Sequence, residues 1–339
     1  MEKQFKTPLL FLIIIAYSFT LSAQVQDFSE ADFSKADSIA ALYPQHSLQD
    51  LPLLADKLTR TLPTEVEKFR SIYSWICTNI DNDYGLYVEN KRVREKLKDI
   101  KALDAWNRKF GKRVFHTLMT DRKTVCSGYA YLVKELALHA GLNCEVIDGY
   151  GRTAHANVRG QATANHTWNA IQLDGHWFLC DATWSSGSID ATLKRFIKKY
   201  DDSYFLADPS LFVRSHYPLD SSWLLLGEKP TIQAFLNGPL IYRGAFRYNI
   251  NPQFPETFDV AGKKGEPISF RFAKQGNDKF ENVTLQFIRA GQSNVVVPTV
   301  SHSDDGVYNI DHVFASKGTH IVHLLLNDEY IVSYSVKIE

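Results

Sequence analysis

The sequence predicts an α+β domain followed by an all-β domain, and three patterns point to this. In several stretches between residues 32 and 143, apolar side chains recur every three or four positions, as on the buried face of helices. Further on, Asp174-Gly175 is a strong two-residue hairpin signal between two alternating runs. Beyond residue 230, alternating runs such as ISFRF and THIVHLLL are separated by Gly, Asn and Asp, which is typical of an immunoglobulin-like sandwich.

We divide the chain into four segments: a signal peptide at residues 1–23, a helical segment at 24–63, a central α+β domain at 64–228 and a β-sandwich at 229–339. The N-terminus has two lysines, an apolar run and the small residues Ser22 and Ala23, the pattern of a secretory signal cleaved near Ala23. The run is shorter than the ~20 residues that a membrane-spanning helix needs. We therefore expect an exported protein, periplasmic or extracellular, with no stable membrane span after cleavage.

The charge of the chain argues against one class of partner. Its formal net charge is zero, so nothing indicates nucleic acid as a partner. Residues 91–113 are rich in Lys and Arg, but Glu95 and Asp99 interleave with them. This mixture favours a solvated helix face over a binding site for an acidic molecule. The oligomeric state does not follow from these features.

Helices are predicted throughout the first part of the chain. Residues 32–62 form two helices separated at Pro44, the second beginning at Ser47. Thr64 and Glu67 have the spacing of a capping box, so a stronger helix is expected to start there. One face of that helix is apolar and is expected to be buried; it comprises Val66, Phe69, Ile72, Tyr73, Ile76 and Ile80.

A cysteine stands at the predicted start of the next helix. Cys126 shares the helical spacing of Ala130 and Val133, Thr124 just upstream is a candidate cap, and Gly141 is the predicted end. In the first turn of a helix, free N–H groups and the positive end of the dipole favour an anion, which for cysteine is the nucleophilic thiolate. The alternative is a structural thiol, since most buried cysteines behave as small apolar residues.

The predicted hairpin brings a histidine and an aspartate together. With a two-residue turn at Asp174-Gly175, His166 lies diagonal to Asp181 on one face of the sheet, because strand side chains alternate. The backbones are then roughly 7–8 Å apart, which an imidazole and a carboxylate can span. Cys180 points to the opposite face and is expected to be a packing residue.

These three side chains have the chemistry of an activated cysteine nucleophile. Cys126 attacks an acyl carbon, His166 holds the proton and delivers it to the leaving group, and Asp181 fixes the imidazole and stabilises its charged form. The first-turn amide of Cys126 is one candidate oxyanion donor, and the second is open. A zinc site using the same residues and Cys180 is an alternative, but no CxxC or HxxxH pair supports it.

Further residues have candidate roles near the site. Three aromatic residues are candidates to line a substrate pocket, although each also fits a core position: Trp168, Trp184 and Tyr129. We expect no metal and no cofactor. If Cys126 is the nucleophile, at most one disulfide forms among the remaining cysteines, and its pairing is open; they are Cys77, Cys144 and Cys180.

At these residues the chain resembles the transglutaminase-like superfamily, in which the catalytic order is Cys, then His, then Asp. TVCSGYAYL is similar to its nucleophile helix, NHTWNAI to its histidine strand and HWFLCDATW to its aspartate strand. The downstream YFLADPSLFVRSHYPLDSSWLL resembles the kyphoscoliosis-peptidase-like branch. The resemblance covers about residues 64–226. It implies a papain-like α+β core, with a nucleophile helix packed on an antiparallel sheet, Cys126 as nucleophile, His166 as base and Asp181 as orienting residue.

The function expected from this resemblance is an exported thiol hydrolase, a peptidase or amidase that works through a thioester. Its substrate would be a peptide or protein, with cell-wall peptide as one class. Two alternatives stay open: a crosslinking acyl transferase on the same triad, and a non-catalytic binding or scaffold module. Animal crosslinking transglutaminases have Trp directly after the nucleophile, where this chain has Ser127. That departure weakens the crosslinking alternative, and the intact trio of Cys, His and Asp argues against a pure scaffold.

Overall fold

The computed structural model describes residue 28 and residues 31–97, 99–153, 163–190, 193–274, 281–303 and 306–339. The predicted signal peptide at residues 1–23 lies outside the described residues. Within the described ranges, no helix combines the length and the apolar character needed to cross a membrane.

Helices dominate the described part of the chain before residue 140. They are α1 (Ser34–Ala41), α2 (Leu51–Thr59), α3 (Glu65–Asn79), α4 (Tyr84–Lys96), α5 (Ile100–Asp121) and α6 (Cys126–His139). The break between α1 and α2 contains Pro44, as predicted, but α2 begins at Leu51 rather than Ser47. The reason is local: the Asp50 side chain accepts a hydrogen bond from the Leu53 N–H at 2.9 Å, which caps the helix at that point.

Helix α3 is the centre of the first hydrophobic core. Its capping box is confirmed: Thr64 Oγ1 accepts from the Glu67 N–H at 3.3 Å, and the Glu67 carboxylate accepts from the Thr64 N–H at 3.2 Å. The apolar face predicted for it is buried, and α3 packs against α1, α2 and α6. This packing holds α6, and with it Cys126, in a fixed position.

A four-stranded antiparallel sheet lies beside these helices. The strands up to residue 218 are β1 (Asp81–Asn82), β2 (Lys123–Thr124), β3 (Cys144–Gly151), β4 (His166–Leu173), β5 (His176–Cys180), β6 (Gly187–Asp190), β7 (Arg195–Lys198) and β8 (His216–Pro218). The sheet has the order β5-β4-β3-β8, while β1 pairs with β2 and β6 with β7. Two short helices, α7 (Ala182–Ser186) and α8 (Pro209–Phe212), follow β5 and precede β8, respectively.

The hairpin between β4 and β5 has the predicted register. Leu173 pairs with His176, and the turn residues Asp174 and Gly175 have φ values of 49° and 83°, as a type I′ turn requires. Consequently the side chains of the two strands divide between two cores. One core, shared with α3 and α6, contains Ile171, Leu173, Phe178 and Cys180; the other, on the back of the sheet, contains Trp168, Ala170 and Leu179.

The chain beyond residue 229 begins with helix and continues as β structure. Its elements are α9 (Ile232–Asn237), β9 (Leu240–Ile241), α10 (Arg243–Arg247), β10 (Ile250–Phe254), β11 (Asp259–Gly262), β12 (Pro267–Lys274), β13 (Val283–Arg289), β14 (Gln292–Val296), β15 (Val300–His302), β16 (Val307–Val313), β17 (Gly318–Leu326) and β18 (Glu329–Ile338). The two helices were not anticipated by the all-β prediction. They follow from the Thr231 side chain, which caps α9 by accepting from the Ala234 N–H at 3.1 Å, and from packing of α10 against β18 and β10.

Two sheets form this C-terminal part. One has the order β10-β12-β16-β15, and the other β11-β18-β17-β13-β14 with β9 beside β18. The pairs are antiparallel except β11 with β18. Inward side chains of both sheets belong to a single core, among them Phe270 and Phe272 of the first sheet and Val322 and Tyr334 of the second. Burying an aromatic or aliphatic side chain of this kind stabilises a fold by about 1.5–3 kcal/mol.

The C-terminal sheets also pack on the back of the central sheet. Their core is continuous with Trp168, Ala170 and Leu179. The Phe246 ring of α10 lies 4.5 Å from the Tyr204 ring, centroid to centroid, and Arg247 is paired with Asp201 at 2.7 Å. The C-terminal part therefore supports the face of the sheet that carries His166.

Candidate active site

Cys126 is the first residue of α6 and is partly exposed. The extended residue Val125 occupies the cap position. The prediction of Thr124 as the cap is wrong: Thr124 lies in β2, and its buried Oγ1 has no hydrogen-bond partner among the described residues. Because the first four amides of a helix lack intrahelical partners, the start of α6 presents N–H groups and the positive dipole end at the thiol.

The far end of α6 agrees with the prediction. Gly141 has φ of 79° and follows the cap residue Ala140. The Gly141 N–H donates to the Leu138 carbonyl at 3.0 Å, and the Leu142 N–H to the Ala137 carbonyl at 2.9 Å. This is a Schellman motif, which needs a left-handed residue where glycine has no steric penalty. The helix that begins at Cys126 is thus defined at both ends.

His166 and Asp181 are in direct contact, as the hairpin register predicts. His166 Nε2 and Asp181 Oδ2 are 2.6 Å apart, and the two side chains are 8% and 1% exposed. Asp181 comes directly after β5 and caps α7, with its other oxygen, Oδ1, accepting from the N–H groups of Thr183 at 2.8 Å and Trp184 at 3.1 Å. The carboxylate is therefore held by backbone amides on one side and by an imidazole on the other.

The protonation states follow from these contacts. Burial lowers the pKa of His166, but the charge and hydrogen bond of Asp181 and the hydrogen bond and charge of Cys126 outweigh it and raise the pKa to about 10. Burial raises the pKa of Asp181, but the charge and hydrogen bond of His166 and the hydrogen bond of His216 bring it well below its usual range. At neutral pH the pair is an imidazolium and a carboxylate. Since Nε2 faces Asp181, the other ring nitrogen, Nδ1, is left for the Cys126 thiol.

A second histidine, His216 of β8, contacts the same carboxylate. Its Nε2 lies 3.1 Å from Asp181 Oδ2, and the side chain is fully buried. Its ring stacks on Phe212 at 4.0 Å and packs against Trp184 at 4.3 Å, centroid to centroid. Burial lowers the pKa of His216, and although the hydrogen bond and charge of Asp181 oppose this, the net pKa is about 4. His216 is therefore neutral where His166 is charged.

His166, Asp181 and His216 also form the kind of group that can hold a metal, with ligand atoms within 4.8 Å of one another. However, 2.6 and 3.1 Å from Asp181 Oδ2 are hydrogen-bond distances, and each Nε2 needs a proton to donate. A metal would need both nitrogens unprotonated. The zinc alternative with Cys180 is not assembled either, because Cys180 faces the core on the opposite side of the sheet.

Two of the three aromatic residues predicted as pocket-lining candidates are core residues. Tyr129 is 0% exposed and its hydroxyl donates to the Ile80 carbonyl at 2.8 Å, while Trp168 is 1% exposed. Their spacing on α6 and β4 turns them inward, so neither reaches solvent beside Cys126. Trp184 is partly exposed, with its ring centroid 5.1 Å from that of His166. The Trp168 ring also lies beside His166, at 6.0 Å between centroids, so of these two tryptophans Trp184 is the one that is both beside the imidazole and partly exposed.

The remaining cysteines are buried free thiols. They are Cys77, Cys144 and Cys180. Burial raises the pKa of Cys144 to about 12, and it raises the pKa of Cys77 and Cys180 above their ordinary value as well. All three are protonated at neutral pH and shielded from reagents, so Cys126 is the accessible thiol of the chain.

Helices α4 and α5 lie beside the start of α6, where Cys126 stands. Val125 packs with Leu86 of α4 and Phe110 and Val114 of α5. Arg94 of α4 donates to the Ala164 carbonyl at 2.5 Å, and burial lowers its pKa while the charge of Cys126 opposes that shift. Most other charged side chains of this basic region are exposed, as predicted.

Comparison with known proteins identifies the core that carries these residues. A model of the transglutaminase-like superfamily matches residues 52–182. Residues 52–182 belong to the transglutaminase-like superfamily. The match includes Cys126, His166 and Asp181 and ends one residue after Asp181. The family prediction, including its kyphoscoliosis-peptidase-like branch, is confirmed by the relatives described next.

The transglutaminase-like core and its surroundings have relatives among curated proteins. The kyphoscoliosis peptidase of Homo sapiens is 29% identical over 293 residues, which cover 82% of this chain and 40% of that protein. The kyphoscoliosis peptidase of Mus musculus is 31% identical over 280 residues, 78% of this chain and 39% of that protein. The chain thus spans about 40% of the length of these relatives. Among solved structures, the Lin-41 filamin domain matches with a TM-score of 0.23 and 11% identity, over 30% of this chain and 97% of that one.

Sequence reasoning about the transglutaminase-like core missed His216. The residue lies 35 positions beyond Asp181, outside the family match, in the RSHYP stretch before Pro218. Its position depends on the pairing of β8 with β3, where His216 pairs with Gly151. One signal for His216 was present in the sequence. The residue lies within YFLADPSLFVRSHYPLDSSWLL, the stretch that resembles the kyphoscoliosis-peptidase-like branch.

Proposed function

We propose that this chain is a cysteine hydrolase that cleaves amide or peptide bonds through a thioester on Cys126. The observation that carries the proposal is the buried 2.6 Å contact between His166 Nε2 and Asp181 Oδ2, which leaves Nδ1 of the same imidazole for Cys126 at the start of α6. Membership of the transglutaminase-like superfamily supports it, as does the name of two relatives, kyphoscoliosis peptidase.

Acylation starts from a Cys126 thiolate paired with the His166 imidazolium. The thiolate attacks the carbonyl carbon, and the amides at the start of α6 stabilise the developing oxyanion. His166 gives its Nδ1 proton to the departing amine as the C–N bond breaks. The products of this step are a thioester, a free amine and a neutral His166. Asp181 stays ionised throughout and holds Nε2.

Deacylation reverses the role of the imidazole. Neutral His166 takes a proton from water, and the resulting hydroxide attacks the thioester carbon. Collapse of the tetrahedral intermediate breaks the C–S bond and releases a carboxylic acid together with the thiolate, which again faces an imidazolium. If an amine took the place of water, the same steps would produce a new amide, which is the crosslinking alternative.

A library of internally quenched peptides, incubated with and without a biotinylated primary amine, tests this function. We expect fluorescence from cleaved peptides and free carboxylic acid as the new terminus, with no biotin incorporated. Biotinylated peptide as the main product would assign acyl transfer instead. The absence of both products across the library would contradict the proposal and favour the scaffold alternative.

The pH profile should reflect the raised pKa of His166. The imidazolium is required to protonate the leaving amine, so the alkaline fall in kcat/KM for a cleaved peptide is expected above about pH 10, by about tenfold per pH unit. The raised pKa of His166 also contributes to the free energy of unfolding: this contribution is fully present below about pH 6.5 and is lost as pH rises through about 10. If kcat/KM instead fell as pH rose through about 6.5, the imidazole of His166 would not be held as an ion pair with Asp181.

The proposed location and architecture extend this function. We propose that the signal at residues 1–23 exports the protein. Its peptide or protein substrate, cell-wall peptide included, would then lie outside the cytoplasm. A mature protein whose intact mass still includes residues 1–23 would contradict this.

We further propose domain limits at 24–63, 64–228 and 229–339, with the last an immunoglobulin-like accessory domain that packs on the back of the central sheet.

A further inference from the structure

His216 is a buried titratable side chain that the steps above do not use. Its Nε2 faces Asp181 Oδ2 at 3.1 Å and its Nδ1 faces the Ser215 hydroxyl at 2.9 Å. The ring stacks on Phe212 and packs against Trp184, and its centroid is 5.4 Å from that of His166. Both nitrogens of the buried imidazole are therefore engaged, and its neighbours restrict its orientation.

The partners of His216 decide where its proton lies. Asp181 is ionised and can only accept, so the Nε2 that faces it must carry a hydrogen. A neutral imidazole has one N–H, which leaves Nδ1 as an acceptor for the Ser215 hydroxyl. The chain of donors therefore runs from Ser215 through His216 to Asp181.

Asp181 then has four donors in fixed directions. Backbone amides of Thr183 and Trp184 bind Oδ1, while the imidazoles of His166 and His216 bind Oδ2. The two amides bind Oδ1 and have no hydrogen bond to Oδ2. The position of Oδ2 is therefore set by the two imidazoles together, with His216 Nε2 at 3.1 Å and His166 Nε2 at 2.6 Å.

We propose that His216 is a positioning residue, a neutral donor that holds Asp181 Oδ2 in line with His166 and thereby keeps the imidazolium against Cys126. This rests on the proposed function, because it assigns His216 a role only if Cys126 and His166 react as a pair. The role is distinct from filling the core, which the ring stacked on Phe212 would do without any N–H.

Two variants separate donation from packing. His216→Phe keeps an aromatic ring against Phe212 and removes the donor, whereas His216→Gln shortens the packing surface and keeps an amide N–H of similar reach. The readout is the rate of iodoacetamide alkylation of Cys126 in the full chain, at pH 6 and pH 9, measured on the Cys126 peptide by mass spectrometry. Thermal unfolding of each variant is recorded alongside. The other three cysteines are buried and do not compete.

The proposed function is tested by the unmodified protein. Its Cys126 should react at pH 6 at least about tenfold faster than the same cysteine in a synthetic peptide, since a helix start and a neighbouring imidazolium favour the nucleophilic form of a thiol. A rate equal to that of the peptide would contradict the thiolate–imidazolium pair itself, whatever His216 does.

The role of His216 is tested by the difference between the variants. We expect His216→Phe to lose about tenfold or more of the pH 6 rate while approaching the unmodified protein at pH 9, where thiolate forms without an imidazolium. His216→Gln should stay within about threefold at both pH values. Equal rates in the two variants, both retained or both reduced, would overturn the proposal and leave His216 as a packing residue.

Discussion

Replacing Cys126 with Ala is expected to abolish peptide cleavage and leave the folded state almost unchanged. The residue is partly exposed at the start of α6, so its removal creates no enclosed cavity. Loss of the group that forms the thioester should reduce kcat by about 10⁴-fold or more. The free energy of unfolding should change by less than about 1 kcal/mol. Cleavage of a responsive peptide and urea denaturation measure the two quantities.

Cys144→Ala is the matched control for this change. Cys144 is a buried thiol at the start of β3, 2% exposed, on the face of the sheet that packs against α6. Removing its sulfur should lower stability by about 1–2 kcal/mol through lost packing and leave kcat within about twofold. The opposite pattern, with activity surviving at Cys126→Ala and stability collapsing, would show that Cys126 is a structural thiol.

Asp181→Asn is expected to impair both catalysis and stability. All four groups around this carboxylate are donors, while an amide has one acceptor oxygen and one NH₂ group. The NH₂ group must face either two imidazoles or two backbone amides, so two buried donors lose their acceptor. The free energy of unfolding should fall by about 3 kcal/mol or more, and kcat by about 10⁴-fold because His166 loses its orientation and its counter-charge.

Asp208→Asn separates the capping role of Asp181 from its role beside the imidazoles. Asp208 is also buried and caps a short helix, α8, by accepting from the Ser210 and Leu211 N–H groups through one oxygen. Within the part of the chain that the structure describes, no imidazole is hydrogen-bonded to Asp208. The change should therefore cost about 1 kcal/mol of stability and leave kcat intact. If Asp181→Asn kept more than a tenth of the activity, Asp181 would have only the capping role that Asp208 has.

Predictions that depend on short-range geometry agree with the structure. The capping box at Thr64 and Glu67 and the stop at Gly141 each involve residues a few positions apart, where backbone hydrogen bonding leaves one arrangement. The contact between His166 and Asp181 is predictable for the same reason. A two-residue turn fixes the register, and the register places both side chains on one face.

The surroundings of a residue depend on elements far away in the chain. Tyr129 and Trp168 have the spacing and chemistry of pocket-lining residues, but which side of α6 or β4 is open to solvent depends on the elements packed there. Trp168 packs against the rings of Phe212 and His216, which come more than 40 residues later in the chain. Thr124 precedes α6 as a cap would, yet its pairing with Asn82 in the β1-β2 ladder places it in a strand.

The amino-acid sequence by itself determined the helix that starts at Cys126, the hairpin that joins His166 to Asp181, and the superfamily that these motifs indicate. Each depends on interactions between near neighbours in the chain, whose geometry repeats from protein to protein. Only the tertiary structure decided that His216 shares the Asp181 carboxylate, that Trp184 stays partly exposed beside the imidazole while Trp168 is buried, and that the C-terminal sheets cover the back of the site. Those contacts join residues far apart in sequence, and their positions follow from how whole elements pack, which no local pattern encodes.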